Sequence, residues 1–118
     1  MKVSDLKTKL AYEEVCAGNP DADIRVGYTS DLLSDVMGNA LDDSVLVTIQ
    51  AHKNTVAVAT LAGIAAVVIC NNREVPADMA EAAADEEVAV FRTTKNQFTV
   101  SCEIGALLDE LSQNGTVS

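Results

Sequence analysis

Aromatic rings are nearly missing from this chain: it has no tryptophan, two tyrosines and two phenylalanines among 118 residues. Proteins that hold single-stranded nucleic acid use rings on which bases stack, and this chain offers few of them. The core must be filled with Val, Ile, Leu, Ala and Met instead. Positive charge is also scarce, with 8 Lys and Arg against 18 Asp and Glu and a formal net charge of −10. Affinity for nucleic acid and for anionic membranes comes largely from neutralising phosphates, so neither is an expected partner. Cysteine numbers three, at positions 16, 70 and 102 with no paired spacing. That odd count points to reduced thiols in a cytoplasm rather than to a disulfide framework.

Long apolar runs are lacking as well. The longest, TVAVATLAGIAAVVIC at 55–70, is rich in Ala and Thr and interrupted by Gly63. It falls short of the ~20 residues that a membrane span requires. The leading KVSDLKTKLAYEEV has neither the apolar stretch nor the cleavage site of a secretory signal. Glycines stand at 18, 27, 38, 63, 105 and 115 and never form GxxxxGK[ST] or GxGxxG. Phosphoryl transfer of the Walker kind is thereby excluded. No GxSxG elbow supports a serine hydrolase.

What the chain does have is 48% apolar residues, enough for one domain that buries roughly two thirds of its unfolded surface. VSDLKTKL (3–10) predicts a short first helix, capped by Ser4 or Asp5, and YEEVCAG (12–18) a short strand ended by the GNPD turn. ADIRVGYT (22–29) alternates like a strand. In SDLLSDVMGNA (30–40), Leu33, Val36, Met37 and Ala40 fall on one helical face behind a Ser30 or Asp31 cap. DDSVLVTIQ (42–50) leads through a polar turn into a β-branched strand. Next, Asn54 is read as the N-cap of a helix carrying Val56, Ala59 and Leu61, with Gly63 ending it.

IAAVVIC (64–70) is apolar on both faces, which implies a parallel sheet with helices on each side. Pro76 fits the first turn of an Ala-rich helix over 76–87, and VAVFRT (88–93) is a further buried strand. A last helix over about 96–113 carries Val100, Ile104, Leu107 and Leu111 on one stripe, with Cys102 on the apolar side and NGTVS (114–118) as a frayed tail. The fold class expected is α/β: a three-layer sandwich whose mainly parallel sheet of four to five strands is flanked by helices.

In such a sheet, ligands gather outside the carboxyl ends of the strands. The strand-end loops here are Tyr28–Asp31, Gln50–Asn54, Cys70–Arg73 and Thr93–Asn96. Lys53, Arg73 and Lys95 would place positive charge at that edge, beside helix N-termini, as a local site for a phosphate or carboxylate. Candidate ligand-binding residues are therefore Tyr28, Asp31, Gln50, His52, Lys53, Asn54, Asn71 and Arg73.

His52, in TIQAHKNTVA, is the only histidine. As a general base it lacks an orienting acid and a nucleophile among its neighbours. As a metal ligand it lacks partners at HxxxH or CxxC spacing. A loop histidine with a local hydrogen bond is the plainest reading, followed by pocket lining, with catalysis last. No catalytic or metal-ligating set and no cofactor is expected.

GYTSDLLSDVMGNA (27–40), VTIQAHKN (47–54) and IAAVVICNNREVP (64–76) together resemble the DRTGG-domain family, especially its small standalone members. The likeness spans nearly the whole chain, read as a single DRTGG-like domain over 1–118. It implies a fold similar to the N-terminal domain of HPr kinase/phosphorylase. The name-giving D-R-T-G-G string is absent, and DADIRVGY (21–28) is the nearest stretch. The related kinase's P-loop belongs to a domain that this chain lacks, so the resemblance implies no enzyme. It implies a regulatory or protein-interaction module that forms a homodimer, with a partner such as a hydrogenase. The alternative is a small-ligand sensor for an anionic metabolite or nucleotide at the strand ends.

Overall fold

The computed structural model describes residues 1–117, with side chains through Ser112. Ten elements follow one another: α1 (Asp5–Thr8), β1 (Glu13–Cys16), β2 (Val26–Thr29), α2 (Leu33–Asn39), β3 (Ser44–Thr48), α3 (Lys53–Ala62), β4 (Ala66–Ile69), α4 (Ala77–Glu86), β5 (Ala89–Arg92) and α5 (Gln97–Val117). The five strands form one sheet in the order β1-β5-β4-β3-β2. Strands β2 to β5 run parallel and β1 closes the sheet antiparallel to β5. The expected three-layer α/β sandwich with a mainly parallel sheet is what the chain forms.

The two faces of the sheet carry separate cores. Val45, Val47, Val68 and Phe91 point to the side of α5, where Val100 and Ile104 meet them together with Val3, Leu6 and Ile24. Leu46, Val67, Ile69 and Val90 point the other way, onto Val36 of α2, Val56 and Ala59 of α3, and Met79 and Ala83 of α4. Strands β3 and β4 are buried along their whole length, which is why their sequences read as continuous apolar runs. Helices α2, α3 and α4 thus lie on one face, and after β5 the chain returns to the face that α1 and α5 share.

Several local expectations are corrected. Helix α2 starts at Leu33 behind Leu32, and neither Ser30 nor Asp31 caps it. Met37 is 44% exposed and Leu61 74% exposed, although both were placed on core faces. α2 lies over the β2 edge of the sheet, beyond which the described residues form no further strand. Leu61 lies about 140° around the helix from Val56, off the buried stripe. Cys102 is exposed for the same geometric reason, being out of step with Val100 and Ile104. The N-cap of α3 is His52, not Asn54. α1 is a single turn, and α5 continues to Val117 rather than ending in a tail at 114. Gly63 does end α3, in the left-handed region at φ +71°, with its N–H donating to the Ala59 and Thr60 carbonyls.

Candidate functional site

The carboxyl ends of β2, β3, β4 and β5 share one edge, since these strands are parallel and in register. That edge holds all eight candidate residues, but the structure divides them into three groups.

Beyond β2 and β3, Asp31 turns inward. Its Oδ1 accepts from Thr48 Oγ1, the Ile49 amide and Gln97 Nε2, each at 2.9 Å. Gln50 Nε2 donates to the Asp31 carbonyl at 2.9 Å. The Gln50 carbonyl in turn accepts from Thr55 Oγ1 at 2.7 Å. These polar groups pair with one another and lock the β2–α2 loop to the end of β3 and to the start of α5. Tyr28 belongs to a second contact, its hydroxyl donating to Asp35 Oδ2 on α2 at 2.9 Å. Hydrogen bonds from Ser30, Tyr28 and Asn39 hold the Asp35 carboxyl below the usual range, and the same bond raises the Tyr28 hydroxyl.

His52 answers to the local reading. Its backbone is extended, at φ −146° and ψ 146°, and its Nδ1 accepts from the Asn54 amide at 3.1 Å. One orphan N–H of the first turn of α3 is thereby satisfied, the work that Ser, Asp or Asn usually does. Lys53 and Asn54 point away from the sheet edge and line a groove of 470 Å³ between α3 and α4.

The third group lies where β4 and β5 end. Asn71 and Asn72 both take left-handed backbone, at φ 62° and 55°. Their amides donate to the carbonyls of Lys95 and Thr93. Arg73 is exposed, and its carbonyl accepts from Arg92 Nε at 3.0 Å. Lys53, Arg73 and Lys95 therefore do not form one cationic cluster: Lys53 faces the α3–α4 groove, while Lys95 lines a cavity of 310 Å³ beside β5. Around that cavity stand residues the sequence reading passed over, among them Tyr12 and Arg92. Arg92 ends β5 itself, whereas Tyr12 is brought there by the β1–β5 pairing, which no local pattern signals.

Glu103 on α5 organises this corner. It accepts from Tyr12 Oη at 2.7 Å and from Lys95 Nζ at 2.6 Å. Burial alone would raise the Glu103 carboxyl, but the bonds from Lys95 and Tyr12 outweigh it and hold the group low. Burial, reinforced by Glu103, pushes the Tyr12 hydroxyl far up. Cys70, at the end of β4, is pushed up to about 11 by burial and then by the charge of Asp31, so it is a thiol and not a thiolate at neutral pH. Among the described residues no group of three or more His, Cys, Asp or Glu is placed to hold a metal ion. None of the described helices is long and apolar enough to cross a membrane.

No protein-family model and no curated protein matches this chain in sequence. Among solved structures, it is similar to the CBS and DRTGG domains of the regulatory region of Clostridium perfringens pyrophosphatase, a structure complexed with the activator diadenosine tetraphosphate. The TM-score is 0.67 at 10% identity, over 85% of this chain and 44% of the other. The chain spans less than half the length of that neighbour, and at such identity the likeness is one of backbone architecture. The fold is DRTGG-like.

Proposed function

We propose that the 118 residues act as one DRTGG-like regulatory module without catalytic activity of its own, working as a homodimer through the outer face of α3 and the adjoining flank of α2. The observation that carries this reading is a local depletion of charge. In a chain with 18 acidic residues, α3 has none, and its exposed positions are Lys53, Asn54, Ala57, Thr60 and Leu61. Beside it Leu32, Met37 and Leu41 are exposed. Interface centres are poor in charge and rich in large apolar side chains, whereas a solvated helix in so acidic a protein has no reason to avoid carboxylates.

The groove between α3 and α4 has Lys53 and Asn54 at one part of its rim and Glu86 at another. Lys53 is the only basic residue on α2, α3 and α4. A two-fold interface is self-complementary, so antiparallel α3 helices would set Lys53 of each copy against Glu86 of the other. Ala57, midway, leaves room for close approach. On this reading Lys53 and Asn54 serve the interface, while Asp31 and Gln50 hold the loop beneath it. The regulatory assignment draws support from the similar structure, which is part of a regulatory region.

Sedimentation velocity tests the proposal. A dimer is expected at micromolar concentration, and Leu61→Glu should give a monomer with unchanged secondary structure. A wild-type monomer at about 100 µM, well above the micromolar constants of the weakest standard-size interfaces, would overturn it.

A further inference from the structure

The change of face after β5 creates a crevice. The loop leaving β4 runs to α4 on one side of the sheet, and the loop leaving β5 runs to α5 on the other. Adjacent parallel strands whose connections diverge in this way part the loops between them, and that is where ligands of open α/β sheets bind. Between β2 and β3 and between β3 and β4 there is no such parting, because the connections of these three strands all lead to the same face. The 310 Å³ cavity opens beside that divergence, between residues 10–13 ahead of and at the start of β1 and residues 92–95 at the end of β5, with Asn72 reaching it from the β4 loop.

We propose that this cavity binds a small phosphate monoester. Its polar lining is rich in donors with spare capacity. Lys95 Nζ donates one hydrogen bond, to Glu103, out of the three it can make. Arg92 spends Nε on the Arg73 carbonyl and Nη2 on Asn72. Its Nη1 has only Glu13, at 3.6 Å, an ion pair too long for a hydrogen bond. The Thr94 hydroxyl and Asn72 Nδ2 have no partner among the described residues.

These donors select a tetrahedral anion over a planar one. Paired recognition of a carboxylate uses the fork of a guanidinium, and two of the three nitrogens of Arg92 are committed to the β4 loop. What remains is a set of single donors from two segments, the β4 loop and the end of β5, suited to separate phosphoryl oxygens. The volume exceeds that of phosphate itself and sits at the lower end of small-molecule pockets, which begin at about 300 Å³. Leu10 and the Tyr12 ring supply an apolar wall for the organic part. Lys95 Nζ lies 5.9 Å from the centre of that ring, so the cation is positioned before any ligand arrives. Ala11 and Asn72, both in the lining, hold left-handed backbone without being glycine, a conformation kept at a cost. Two carboxylates oppose an anion here: Glu103, which stays paired with Lys95 at 2.6 Å, and Glu13, which is exposed and held by the long ion pair alone, so it can swing away at little cost. This site does not depend on self-association.

The test is an amide-resolved NMR titration with glycerol phosphate as probe and glycerol as control. Saturable shifts centred on Asn72, Thr94 and Lys95 are expected with the phosphate ester and none with glycerol. Lys95→Gln should weaken binding at least tenfold, while Lys53→Gln leaves it unchanged. Glu13→Gln should tighten it several-fold, a gain that a purely structural role for this corner would not produce. Arg92 also staples the β4 loop, so its variant is not relied on. Shifts centred on residues 50–54, an unchanged affinity in both Lys95→Gln and Glu13→Gln, or no saturable response to 50 mM phosphate ester would overturn the proposal.

Discussion

Asp31 and Gln97, 66 residues apart in sequence, meet at 2.9 Å, and the same carboxylate oxygen holds the Thr48 hydroxyl and the Ile49 amide. Hydrogen bonds to a charged group are each worth about 1.5–3 kcal/mol, and a buried donor left without one costs more than the bond alone. Asp31→Ala should therefore destabilise the fold by about 3 kcal/mol. Asp31→Asn, which keeps an acceptor in place, should cost about 1 kcal/mol. Urea unfolding of the two variants checks the difference, and equal losses would show that the side chain is only filling space.

His52→Ala removes the acceptor at the start of α3 and should cost about 1 kcal/mol, the usual value of an N-cap. His52→Asn or His52→Asp should restore most of it, because a short side-chain oxygen reaches the same amide. Thermal denaturation of the three variants decides the matter. A neutral His52→Ala would mean that water replaces the ring.

Acid should loosen the two carboxylate anchors. Glu103 and Asp35 are both held below their ordinary values in the folded protein. Unfolded chains therefore take up these protons first, and the stability the anchors supply is full above the ordinary carboxylate range. It is lost as pH falls through the lowered folded values, below about pH 4. Glu103→Gln and Asp35→Asn should each be less stable at pH 7 and show a shallower loss of stability between about pH 5 and pH 2. An unchanged slope in Glu103→Gln would remove the linkage with Lys95 and Tyr12.

The thiols should separate cleanly by labelling. Cys102 is exposed on α5, whereas Cys70 is fully buried with its titration pushed up to about 11. In the native protein near neutral pH, well below that titration, iodoacetamide should modify Cys102 within minutes and leave Cys70 intact until denaturant is added. Mass spectrometry of the peptides reads this directly, and native modification of Cys70 would count against its burial.

The sheet was legible in sequence because β3, β4 and β5 are buried on both faces and their apolar runs advertise it. Helix faces were less legible where a short helix lies at the edge of the sheet: the spacing of Leu33, Val36, Met37 and Ala40 is helical, yet only Val36 among them is fully buried. The capping role of His52 was hidden because Asn54, a stronger cap by residue type, stands two positions later and takes part as the donor. At the strand ends, sequence placed polar groups on the correct edge but could not say which would pair with each other. Asp31, Gln50 and Tyr28 are tied up by partners supplied by tertiary packing. The β5 corner was invisible altogether, since Tyr12 reaches it only through the antiparallel pairing of β1 with β5.

That pairing also sets an order of assembly. β2, β3, β4 and β5 are laid down side by side in the sequence in which they are synthesised, each joined to the last by a single helix. β1 emerges before any of them but pairs with the last, and closing that loop of roughly 75 residues waits until β5 has docked. The growing sheet thus carries a bare backbone edge throughout its formation, first on β3, then on β4, then on β5. Such edges are templates for pairing with other chains. The strand made earliest is the one that finally covers β5, and the finished sheet keeps β1 and β2 as its edges.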